Sequence, residues 1–128
     1  MGPPEDRICA SCGRAFSWRR AAARDWEQVR YCSKACRRRK VRPEDRALEQ
    51  VIRELLAARA RTASVCPSEA ARRVAGEEEA AWRALMEPAR RAARRMVADG
   101  EVELVQGGRV VDPSTFRGPV RIRRAGGR

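Results

Sequence analysis

Arg7-Ile8-Cys9-Ala10-Ser11-Cys12-Gly13-Arg14, followed, with nineteen residues between Cys12 and Cys32, by Cys32-Ser33-Lys34-Ala35-Cys36-Arg37-Arg38-Arg39-Lys40, is the stretch that decides how this chain folds. A Cys-x-x-Cys turn folds two sulfurs onto one cation, and a second close pair supplies the other two corners of a tetrahedron. Gly13 follows the second sulfur, where the chain turns sharply and a positive φ is useful. Ser33 is placed to cap a helix whose first turn carries Cys36, and thiolate charge is favourable near a helix N-terminus. The pattern predicts one structural Zn2+ on Cys9, Cys12, Cys32 and Cys36. It also predicts a treble-clef-like module, with a strand running into Tyr31-Cys32 before the capped helix. Two disulfides are the competing arrangement. The opening residues Met1–Asp6 hold no apolar run of the signal-peptide kind, so a cytoplasmic, reducing setting is expected. Four thiolates leave no open coordination position, so the metal is expected to hold the fold and to do no chemistry.

A chain of 128 residues is enough for one ordinary domain or two very small ones. The first 42 residues cannot bury enough apolar surface to fold without a staple such as a metal. No apolar stretch approaches the roughly 18 residues a membrane span requires. The formal charge is +12. Residues 1–42 hold 12 Lys/Arg against 4 Asp/Glu, a net of +8, and residues 43–128 hold 17 against 13, a net of +4. Four thiolates around a divalent cation add −2, which leaves the first module at about +6. Such an excess suggests a polyanionic partner, although an Arg- and Ala-rich composition gives the same sign without one. The chain has no histidine, the commonest general base, and no phosphate-cradling glycine loop or nucleophile elbow. An enzyme is not expected.

Outward from the cysteines, the insert carries Phe16, Trp18 and Trp26, and Tyr31 precedes Cys32. These aromatics suit a small core against the knuckles; Trp18 or Trp26 as a stacking face for a base is the sharper alternative. Arg37-Arg38-Arg39-Lys40 continues the capped helix as a charge run, and Pro43 marks a boundary between modules 1–42 and 43–128. From Pro43 to Arg61, Leu48, Val51, Ile52, Leu55 and Leu56 recur at helical spacing, with Glu49 and Arg53 pairing on the outer face. Cys66 is expected to be a small buried residue ahead of a helix that Ser68 caps and Gly76 ends. Trp82 to Asp99 predicts a third helix, irregular around Pro88, with Ala89, Ala93 and Met96 on one side and Arg90, Arg91, Arg94 and Arg95 on the other. Two β-branched runs around Gly107-Gly108 make a hairpin, and Val120-Arg121-Ile122-Arg123 alternates like a third, edge strand.

Three helices followed by a hairpin is the order of a winged helix-turn-helix, in which the third helix reads a groove and the hairpin is the wing. The fold class expected is therefore a small zinc-bound, treble-clef-like module followed by a mainly α winged helix-turn-helix. The segment from Arg7 to Arg39, with Cys-x-x-Cys-Gly-Arg, Phe-x-Trp-Arg and Tyr-Cys-Ser-x-x-Cys-Arg, resembles a small bacterial zinc-knuckle family of unknown function. The segment from about Glu44 to Arg124 resembles a second bacterial family of unknown function, expected to be winged-helix. Its motifs are Cys66-Pro-Ser-Glu69, Trp82 with Leu85-Met86, Gln106-x-Gly-Arg-Val-Val-Asp-Pro113 and Gly118-Pro-Val-Arg121. The resemblance implies a bacterial tandem-domain protein and supplies no activity.

The functional expectation rests on the residues: a zinc-stabilised nucleic-acid binder, with duplex DNA favoured and a regulatory role in view. Its contacts are expected at Arg37, Arg38, Arg39, Arg90, Arg91, Arg94, Arg95 and the wing residue Arg109, because the guanidinium fork suits phosphates and guanine edges. An RNA- or ribosome-associated binder and a protein-interaction adaptor are the alternatives.

Overall fold

The computed structural model describes residues 5–17, 24 and 26–126. The N-terminal module opens with a hairpin of β1 (Arg7–Ile8) and β2 (Ala15–Phe16), in which Arg7 faces Phe16 and Ile8 faces Ala15. The Cys9–Cys12 turn is its loop. The strand expected into Tyr31-Cys32 does not form; that segment is irregular and leads into α1 (Lys34–Arg39). Ser33 caps α1 as expected, its Oγ accepting from the Cys36 amide at 3.1 Å. Trp26 is buried and meets Phe16 edge-on, with the Arg7 guanidinium over its ring, so this indole serves packing. Trp18 lies outside the described residues.

Helix α2 (Pro43–Ala57) starts with a proline at its first position, where no N–H is needed. The Asp45 carboxylate accepts the Arg42 amide at 2.7 Å and closes that end. Strand β3 (Ser64–Val65) follows, then α3 (Pro67–Ala75). Cys66, not Ser68, is the residue before α3; Pro67 takes the first helical position and Glu69 reaches back to the Cys66 amide at 2.7 Å. Cys66 is half-buried, not buried, and its sulfur accepts from the Ser68 hydroxyl.

The expected third helix is two helices, α4 (Glu79–Ala84) and α5 (Met86–Ala98), with the break at Leu85. Pro88 sits in the first turn of α5, where its missing N–H costs nothing, so it shapes the start of the helix without kinking it. Gly100 ends α5 at φ +79°. Strands β4 (Val102–Gln106) and β5 (Arg109–Val110) form the hairpin, turning through Gly107 and Gly108. Strand β6 (Arg121–Arg124) completes a four-stranded antiparallel sheet in the order β3-β6-β4-β5. The last strand is therefore interior: Ile122 lies between Val65 on one side and Leu104 on the other. Its strict alternation arises because one face, carrying buried Ile122, meets the core, while exposed Arg121 points out.

One apolar core joins these elements. Leu48, Ile52, Leu55 and Leu56 of α2 meet Ala89, Ala92, Ala93 and Met96 of α5 over Val65, Val102, Leu104 and Ile122 of the sheet. Alanines on α5 let the helix approach closely. Each fully buried Leu or Ile contributes about 1.5–3 kcal/mol. Among the described residues, no helix is long and apolar enough to cross a membrane.

Candidate metal centre

The Cys9–Cys12 turn, the bend at Cys32 and the first turn of α1 bring four sulfurs together. All four Sγ atoms lie within 4.8 Å of one another, and both Cys12–Cys32 and Cys32–Cys36 are 3.7 Å apart. A tetrahedron with Zn–S arms of 2.3 Å has edges of about 3.8 Å, so the spacing fits a divalent cation bound by four thiolates. It is far from the roughly 2.0 Å of a disulfide. Cys9, Cys12 and Cys36 are buried, with Phe16 and Tyr31 packed against them. Burial pushes the Cys12 thiol up and the Cys32 thiol up to about 12. Burial raises Cys9 as well, but hydrogen bonds from the backbone of Cys12, Cys32 and Ser11 bring it down to about 7. A bound cation would replace the protons that such thiols hold.

The back of the turn is held by the other module. Arg95 Nη1 donates to the Ser11 carbonyl at 2.7 Å, and Arg94 Nε donates to the Cys12 carbonyl at 2.8 Å. The peptide that carries the Ser11 carbonyl also carries the Cys12 N–H, which lies 3.5 Å from Cys9 Sγ. A guanidinium on the oxygen end of that peptide strengthens its N–H as a donor to sulfur. Gly13, at φ +78°, lies flat against α5: a Cβ there would stand 2.5 Å from Arg94 Cβ and 2.6 Å from the Arg95 amide nitrogen. One further link closes the contact: the Ala15 amide donates to Ser114 Oγ at 2.9 Å. Within its own module, the Ser11 hydroxyl donates to the Lys40 carbonyl at 2.7 Å.

Arg94 and Arg95 are thus not on an outer face. They are 1% and 7% exposed, and both guanidinium groups are hydrogen-bonded. Besides the turn, Arg94 meets Glu87 at 2.6 Å, and Arg95 meets Glu49 at 2.7 Å. Glu49 is itself buried, with Arg46 and Arg53 on its other side, which corrects its expected exposed position. The reason is geometric. A helix face opposite the apolar stripe is solvated only when nothing else covers it, and here the cysteine turn does. Arg90 and Arg91 lie 3.7 and 4.0 Å from Glu87, and Arg91 is only 13% exposed. The Arg39 guanidinium turns back to Cys36 Sγ at 3.9 Å. Arg37, Arg38 and Arg109 are exposed, and among the described residues none of them is in an ion pair.

Gly13 takes the positive φ its place after Cys12 suggested, while Ser11, Glu49 and Glu87 are supporting residues that spacing alone did not reveal. The burial of Glu49 has no sequence signal, because its partner Arg95 is 46 residues away.

Residues 45–125 match the model of the family described as a protein of unknown function, DUF3253. The chain belongs to that family. Residues 4–39 match a second one, described as an uncharacterized protein conserved in bacteria, DUF2256. The chain is therefore a tandem of the two families, the cysteine cluster falling in the second match and α2 to β6 in the DUF3253 region. A comparison with curated proteins gave no significant match.

Proposed function

We propose that this chain is a zinc-stabilised nucleic-acid-binding protein that engages duplex DNA through α1 and its flanks. Residues 28–43 contain Arg30, Lys34, Arg37, Arg38, Arg39, Lys40 and Arg42 and no Asp or Glu. Six of these seven cations are exposed, and that strip is the observation that carries the reading. Like charges gathered without acidic neighbours repel one another, and a polyanion relieves the repulsion. Zinc suits four thiolates at this spacing and holds α1 against the hairpin in a treble-clef-like arrangement. The helix–strand–helix–helix–helix–hairpin order, with the last strand between β3 and β4, supports a winged-helix reading of the DUF3253 region. Helix α5, however, is the face on which the cysteine turn sits, so the groove-reading role expected of Arg94 and Arg95 is not part of the proposal. Contact through α1, with the wing residue Arg109, is chiefly with phosphates.

If about four phosphates are neutralised, log affinity falls with log salt at a slope of about −4. The test is a salt-series titration of duplex DNA, single strands and structured RNA with the wild type and with Arg37→Ala/Arg38→Ala. The double variant should bind all sequences more weakly and shallow the slope by about 2. Equal affinities for the two proteins, or salt-independent binding, refute the reading. A preference for RNA would move the ligand class while leaving the surface in place.

A further inference from the structure

We infer that Arg94 and Arg95 are positioning residues of the metal site, so that metal affinity is set in part by the DUF3253 region. The inference rests on the metal reading above. The two guanidinium groups occupy successive carbonyls of the very turn that carries Cys9 and Cys12, at 2.7 and 2.8 Å. Each is oriented from behind by a carboxylate, Arg95 by Glu49 and Arg94 by Glu87. A four-thiolate site holding a divalent cation carries a net −2, and the two Arg–carboxylate pairs turn their positive ends toward its turn. The route to sulfur is specific for Arg95: guanidinium to Ser11 carbonyl, then the same peptide's N–H to Cys9 Sγ. Partners one shell out from metal ligands change affinity by about 10- to 100-fold when removed. Here those partners lie more than 80 residues from the turn residues whose carbonyls they bind, at separations of 82 and 84. Coupling of this kind is reciprocal: whatever factor the arginines add to metal affinity, the metal adds to the stability of the α5 contacts.

The experiment uses the full chain, with Zn2+ for affinity by chelator competition and Co2+ as a spectroscopic probe. Arg94→Met keeps the apolar stem and leaves Glu87, 47% exposed, free to be solvated, so the fold is expected to survive. Arg95→Met/Glu49→Gln removes both members of the buried pair together, which avoids an orphaned charge; Glu49→Gln alone, which keeps Arg95 on Ser11, is its control. We expect Zn2+ affinity to fall about tenfold in Arg94→Met and in the double variant, and less in the control. In the Co2+ form, the tetrahedral thiolate bands should persist in all proteins. The sulfur-to-metal charge-transfer band should move to lower energy in the Arg95 variant, where Cys9 loses its strengthened N–H donor. A merely structural arginine would not move that band. Unchanged Zn2+ affinity in both variants of a metal-binding wild type overturns the inference alone. A wild type that binds no metal overturns the metal reading and, with it, this one.

Discussion

Replacing Gly13 by Ala isolates the contact between the cysteine turn and α5. Two costs follow from the geometry. At φ +78°, an L side chain is strained by about 1–2 kcal/mol. The new Cβ also falls 2.5–2.6 Å from Arg94 Cβ, the Arg94 carbonyl carbon and the Arg95 amide nitrogen. Two of those are helix backbone atoms, which cannot swing away, so overpacking adds about 1–3 kcal/mol. The sum is about 2–5 kcal/mol. Gly100 supplies an internal reference, because its φ is +79° and nothing lies within 4 Å of its would-be Cβ. Gly100→Ala should therefore cost only the strain, about 1–2 kcal/mol. The assay is denaturant unfolding of both variants and the wild type with saturating Zn2+, followed by circular dichroism at the helical signal. Equal destabilisation by the two alanines would refute the close docking of the turn on α5.

Glu49→Ala should cost about 3–5 kcal/mol in the same unfolding assay, because it leaves buried Arg95 without its counter-ion; a loss under 1 kcal/mol would mean that Arg95 reaches solvent. Acid titration of Glu69→Gln gives a third check. The Arg59 guanidinium holds the Glu69 carboxyl below its ordinary value of 4.5, so this pair contributes stability above that pH and loses it as pH falls through the lowered folded-state value. The pair is about a third exposed and screened by water, so the effect is small, seen as a wild-type advantage near neutrality that vanishes in acid. An advantage that grows on acidification would contradict the pairing.

Much of this fold is written in local pattern. The cysteine spacing, the Ser33 cap, the 3.6-residue periodicity of α2 and the Gly107-Gly108 turn each encode their element within a few neighbours. The features that local pattern missed are those decided by distant residues. Arg94 and Arg95 lie on the polar side of α5 by periodicity, and periodicity does not report that a turn 82 and 84 residues upstream will cover them. Val120 to Arg123 reads as an edge strand because it is short and half-polar, yet β3 and β4 both pair with β6 and make it interior. The break at Leu85 shows the same limit, since Trp82 and Pro88 sit within one continuous helix-forming composition. Among the metal-site residues, the four cysteines were legible and the clasp behind them was not.

The interior position of β6 imposes an order of events during synthesis. Ser64 of β3 must wait for Arg121 of β6, 57 residues later, before it gains its partner. At 5–20 residues per second, that wait is roughly three to eleven seconds. The cysteine turn and α1 are synthesised before α5, so the turn exists before the arginines that later grip it. The docking of Arg94 and Arg95 onto the turn is therefore a late step, open only once α5 has been made. A chain halted ahead of Arg121 would leave β3 and the inner edge of β4 without the strand that joins them, an open sheet edge of the kind that invites pairing with other chains.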